Sequence, residues 1–107
     1  MKPLLTLTLL GSLLAPAHAE FYNGNELLRM MRGNNTEQAA AYGYVVGVND
    51  ALHKITLCIP NGVTVGQAND IVRAYLEANP QSRHFSADSL VVAALSQIWA
   101  CKKGAGV

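Results

Sequence analysis

Ser86-Ala87-Asp88-Ser89-Leu90-Val91-Val92-Ala93-Ala94-Leu95-Ser96-Gln97-Ile98-Trp99-Ala100-Cys101 decides the fold. Its apolar residues Ala87, Leu90, Val91, Ala94, Leu95, Ile98 and Trp99 recur at the 3-4-3-4 spacing of one helical face. Ser86 stands where an N-cap belongs, and Asp88 favours the positive end of the helix dipole. The run ends on Cys101, one of only two cysteines in the chain.

Three more helical stretches lie upstream. Asn25 to Arg32 reads as a short helix, with Asn25 to cap it, Glu26 in the first turn and Gly33 as a left-handed stop. A second begins near Asn35 or Thr36 and carries Ala41, Tyr44, Val45, Val48, Leu52 and Ile55 on one face. Opposite them Gly43, Gly47 and Ala51 recur every fourth residue, which predicts a face approached closely by another backbone. Pro60, Asn61 and Gly62 then force a turn. Thr64 and Gln67 form a capping box for a third helix, with Val65, Ala68, Val72, Tyr75 and Leu76 as its apolar positions and Pro80 ending it beyond Asn79. The spacing of Tyr42, Tyr44, Tyr75 and Trp99 predicts core positions. No strand pair emerges, so the expectation is an all-α, single-domain bundle of about four helices. Gly104 to Val107 reads as a frayed tail.

The chain has 107 residues, of which 50% are hydrophobic and 14% charged, with a formal net charge of +1. Nothing there offers a basic surface for nucleic acid or a polybasic membrane patch. Lys2, the apolar run Leu4 to Leu14 and the small residues of Ala17-His18-Ala19 read as a cleavable export signal over 1–19, leaving 20–107 as the mature domain. Thr6, Thr8, Gly11 and Ser12 interrupt the run and argue against a membrane anchor. Export in a Gram-negative cell predicts a periplasmic location.

Export also sets the reading of Cys58 and Cys101, since two lone cysteines in an oxidising compartment pair, whereas in the cytosol they stay thiols. On the loop-entropy model a bond closing their 42 intervening residues contributes about 4 kcal/mol. With His53 and His84 the only other mature soft ligands and no CxxC or HxxxH spacing, no metal site is expected, nor any cofactor. Catalytic chemistry is equally thin. Asp50 and His53 sit three apart on one helix without a nucleophile, and Ser82, Ser86, Ser89 and Ser96 lie in no nucleophile elbow. Gly62 to Gln67 lacks the lysine of a phosphate loop. Arg83-His84 is either an anion site or a polar corner tying its loop to neighbours.

Five ordered segments then suggest a family: GYVVGVNDA (43–51), CIPNGVTVGQ (58–67), IVRAYLEANP (71–80), RHFSADSLVVAAL (83–95) and the late Cys101. Together they resemble the Rap/Tai-type immunity proteins over nearly the whole mature chain. The resemblance implies an exported, all-helical, non-catalytic inhibitor that occludes the cleft of a type VI secretion amidase, an enzyme cutting peptidoglycan peptide stems. It implies a peptidoglycan amidase effector as partner and, often, a homodimer. Gly43, Gly47, Asp50, Pro60, Gly62, Thr64, Gln67, Arg83 and His84 belong to the motifs, most with local structural reasons for their place. Toxin contacts are therefore expected on exposed positions beside them: Arg73 and Glu77 on the third helix, and Gln81, Ser82, Arg83 and Phe85 in the following loop.

Two other classes compete. An acid-stress chaperone of the HdeA type is small, helical, exported and disulfide-stapled, but its switch needs many titrating groups, which this chain lacks. A small hydrolase needs an assembled nucleophile, base and oxyanion site.

Overall fold

The computed structural model describes residues 21–102 as four helices: α1 (Gly24–Met31), α2 (Asn35–Leu52), α3 (Val65–Ala78) and α4 (Ala87–Trp99), with a 3-10 turn at Pro80–Ser82. The expected export signal and the tail from Gly104 lie outside the described residues. Among these residues strand pairing is limited to isolated bridges, and no helix is long and apolar enough to cross a membrane.

Three helices start with the same chemical device. Asn23, Asn34 and Thr64 each accept a hydrogen bond from the backbone N–H three residues on, while Glu26, Glu37 and Gln67 accept from the cap's own N–H. Two orphan donors are satisfied at each start, and losing such a cap costs about 1 kcal/mol. The α1 cap is Asn23 rather than the expected Asn25, because Asn23 has the carboxylate three residues ahead that closes the box. Gly33 is not a left-handed stop: positive φ among the described residues occurs only at Lys54 and Gly62. Arg32 ends α1 in a helical conformation with its N–H on α1 carbonyls. Ser86 does cap α4 by position, but its side chain makes no capping bond and pairs with the Ser89 hydroxyl at 3.0 Å instead.

The core is built around α4. Ala87, Leu90, Val91, Ala94 and Leu95 are buried against Leu27, Leu28, Met30 and Met31 of α1, Ala41 and Val45 of α2, Ala68, Val72 and Leu76 of α3, and the loop residue Leu57. Burying each such Leu or Val contributes about 1.5–3 kcal/mol before entropy is counted. Tyr44, Tyr75 and Trp99 pack on the rim of this core, whereas Tyr42, expected with them, is exposed. The periodic stripes also run one step too far. Ile98 is 56% exposed on the last turn of α4, and Ile55 is 72% exposed because α2 has already ended at Leu52. There Lys54 turns left-handed and the Leu52 carbonyl accepts from Ile55, Thr56 and Leu57.

Beyond that turn, Val63 N–H closes on the Pro60 carbonyl with Gly62 at φ 98, the positive value a type II turn demands of its third residue. Cys58 and Cys101 are bonded, their Cα atoms 4.9 Å apart. Cys58 N–H donates to Trp99 and Cys101 N–H to Thr56, so the bond rivets the α2–α3 loop to the end of α4.

The close backbone approach expected at Gly43 and Gly47 is absent: a side-chain carbon there would meet nothing within 4 Å. Both face solvent on the outer side of α2. The close approach occurs at Gly24, where a Cβ would lie 3.0 Å from the Arg83 Cα and collide with the Leu90 side chain.

Candidate functional site

The loop from Asn79 to Phe85 is built from backbone bonds. Asn79 leaves α3 with its side-chain amide donating back to the Tyr75 carbonyl at 2.9 Å. Ser82 N–H bonds to Asn79, and Phe85 N–H to the Ser82 carbonyl, each at 3.0 Å. The loop then lies across the start of α1. Asn25 N–H donates to the Arg83 carbonyl at 3.0 Å, Gly24 N–H to the Phe85 carbonyl at 3.1 Å, and Ala87 N–H to the Tyr22 carbonyl at 2.8 Å. The first amides of a helix have no intrahelical acceptor, so a loop offering carbonyls docks there without its side chains. The polar corner expected at Arg83-His84 thus exists, but main-chain carbonyls make it.

That economy leaves the His84 and Phe85 side chains exposed. His84 stacks on Phe85 with ring centroids 4.2 Å apart, and Phe85 remains 54% exposed. Phe21 and Tyr22, brought alongside by the Asn23–Ser86 bridge, are exposed as well. Gln81 reaches only the neighbouring Asn79 side chain, at 3.2 Å, and Ser82 is half-buried.

Beside the loop runs a band of charge. Arg73, one turn before Glu77 on α3, and Arg32 of α1 share one Glu77 carboxylate oxygen, at 3.7 Å and 2.8 Å respectively. The hydrogen bond from Arg32, helped by the charge of Arg73, holds the Glu77 carboxyl below its usual range. Arg29 pairs with Glu37 at 2.9 Å. A groove of about 400 Å³ along α1 is lined by Asn25, Leu28, Arg29 and Arg32 together with Glu37 and Arg83.

Of the six expected contact residues, Arg83 lines this groove, Glu77 pairs with Arg32 on it and lies within 3.7 Å of Arg73, and Gln81, Ser82 and Phe85 belong to the loop that carries Arg83. Arg29 and Arg32 line the same groove and escaped sequence reasoning, although Asn25, Arg29 and Arg32 recur as a polar stripe opposite Leu27, Leu28 and Met31. Asp50 and His53 are both exposed. A smaller, apolar hollow of about 120 Å³ sits between α2 and the start of α3, lined by Val46, Asn49, Ile59 and Val65. Pro60, Gly62, Thr64 and Gln67 shape the turn and cap beside it. No cluster of three His, Cys, Asp or Glu side chains suited to a metal ion occurs among the described residues.

The sequence model of the Rap1a immunity proteins matches residues 23–101. The chain belongs to the Rap1a immunity protein family. No curated protein matches it. The Rap1a match begins at Asn23, the residue that caps α1, and ends at Cys101, the second half of the disulfide. It spans the folded unit, including the charged band and the loop. Membership places the chain among proteins whose role is immunity, which implies a toxin as binding partner.

Proposed function

We propose that this Rap1a family member is exported to the periplasm, where it binds a type VI secretion peptidoglycan amidase and occludes its active-site cleft without catalysing a reaction itself. The observation that carries the reading is the family match over the whole folded unit, from the α1 cap to the disulfide. The loop geometry supports it. A rigid backbone mount that leaves Phe85 and Arg83 free of structural duty is how an inhibitor presents anchors to a cleft, and aromatic and arginine side chains dominate binding hot spots. Arg73, Glu77, Gln81 and Ser82 form the polar border of that surface. A complex of this kind buries on the order of 1,200–2,000 Å².

Co-expression tests the proposal. The amidase encoded by a neighbouring reading frame, directed to the periplasm, should lyse cells alone and spare them when this protein is present. The purified mature protein should leave peptidoglycan uncut. Sedimentation of the same preparation reports whether it pairs with a second copy. Equal lysis with and without the protein for every adjacent candidate, and no recovered complex, would refute the immunity reading.

A further inference from the structure

The groove along α1 holds three arginines, two of which have an acidic partner. Arg29 is neutralised by Glu37 and Arg32 by Glu77. Arg83 has no acidic partner among the described residues, and its Nε is buried with no hydrogen-bond partner. A guanidinium keeps its charge at any physiological pH. A half-buried cation with an unmatched donor is costly to a fold, so an unexplained one invites a functional account. Structural need does not supply it, because the loop is secured through the Arg83 carbonyl on Asn25 N–H.

We propose that Arg83 is the specificity-determining anchor for an aspartate or glutamate side chain that the toxin inserts into this groove. The inference rests on the immunity reading and names the chemistry of its contact. The buried Nε fixes the stem, and a carboxylate meets the two terminal Nη groups, which are not among the buried atoms, in two parallel hydrogen bonds that a lysine cannot reproduce. Arg29 and Arg32 are already matched by Glu37 and Glu77, so Arg83 is the cation of this groove left open to an entering carboxylate. The volume of about 400 Å³ admits a loop tip carrying that side chain.

Affinity for a catalytically inactivated amidase, measured by calorimetry on the full mature chain, tests the idea with three variants. Arg83→Met keeps the apolar stem and removes the charge. It should weaken binding roughly 10- to 100-fold, the scale of a lost charged hydrogen bond, while the melting temperature of the free protein stays level or rises. A merely structural arginine would lower both. Arg83→Lys should restore less than half of the lost binding free energy, and Gln97→Ala, on the far end of α4, should bind as the wild type does. Neutralising the matching toxin carboxylate should make Arg83→Met silent in a double-mutant cycle. Wild-type-like affinity of Arg83→Met would overturn the inference while leaving the immunity reading standing. Failure of the wild-type protein to capture any amidase would overturn both.

Discussion

Both ends of α4 are held by one antiparallel bridge, Asn23 with Ser86 at its start and Leu57 with Ala100 at its finish. At the finish the bridge is riveted by the Cys58–Cys101 bond. At the start, hydrogen bonds from Gly24, Asn25 and Ala87 do the holding, with His84 and Phe85 exposed and Arg83 half-buried beside them. The contrast separates two tasks. A covalent clamp constrains the unfolded chain and spares a small core from supplying all the stability. The hydrogen-bonded end can instead carry unmatched charge and exposed aromatic surface, because the opposite end secures the helix it leans on.

Breaking the covalent end should have the largest effect. The mature protein should expose no alkylatable thiol until reduced, as intact mass will show. Reduction, or the Cys58→Ser, Cys101→Ser pair, should cost about 2–5 kcal/mol in urea unfolding. Because that end lies away from the proposed contact surface, toxin affinity measured under folding conditions should change little.

At the hydrogen-bonded end the sensitive point is Gly24. Adding one methyl group as Gly24→Ala drives a carbon against the Arg83 backbone and the Leu90 side chain. Overpacking of this kind costs about 1–3 kcal/mol, and here it should also shift the loop and weaken toxin binding. The same change at Gly47 enters open space on α2 and should stabilise by about 0.5–1 kcal/mol through helix propensity. Thermal denaturation of the two variants decides the contrast. Destabilisation by Gly47→Ala would show that a backbone does approach that face in solution.

These glycines mark where sequence reading stops. Regular spacing identified all four helices, short-range chemistry identified the Thr64–Gln67 box and the Pro60–Gly62 turn, and the expected export with a count of two paired the cysteines. Each is decided within a few residues, or by there being only two candidates. Two asparagines stood near the start of α1, and the choice turned on which had a glutamate three residues later. Ile55 and Ile98 kept the period but lost their neighbours, since periodicity does not report where packing ends. The groove was beyond reach for a stronger reason: Arg32 meets Glu77 across 45 residues, and its Arg83 wall is placed by carbonyls that carry no sequence signal. The six surface positions were chosen as exposed points beside the motifs; of these, Arg83 lines the groove and Glu77 pairs with Arg32 on it.

The smallest effect should come from acid, and it should again divide the two ends. Glu77 is held below its ordinary value of 4.5, chiefly by the Arg32 hydrogen bond. Its contribution is therefore complete above that ordinary value and is lost as pH falls through the lower folded one. The pair is exposed and screened by salt, so the loss is small. The disulfide does not titrate. Towards pH 3, hydrogen exchange corrected for intrinsic rates should show α1 amides losing protection while the Cys58 and Cys101 amides keep theirs. Circular dichroism should meanwhile retain the helices. Glu77→Gln should reproduce the α1 loosening at neutral pH, since it removes the charge without adding bulk. Cooperative opening of both ends near pH 3, with dye binding and suppressed aggregation of client proteins, would instead favour an acid-stress chaperone, whose switch requires the whole fold to yield to protonation.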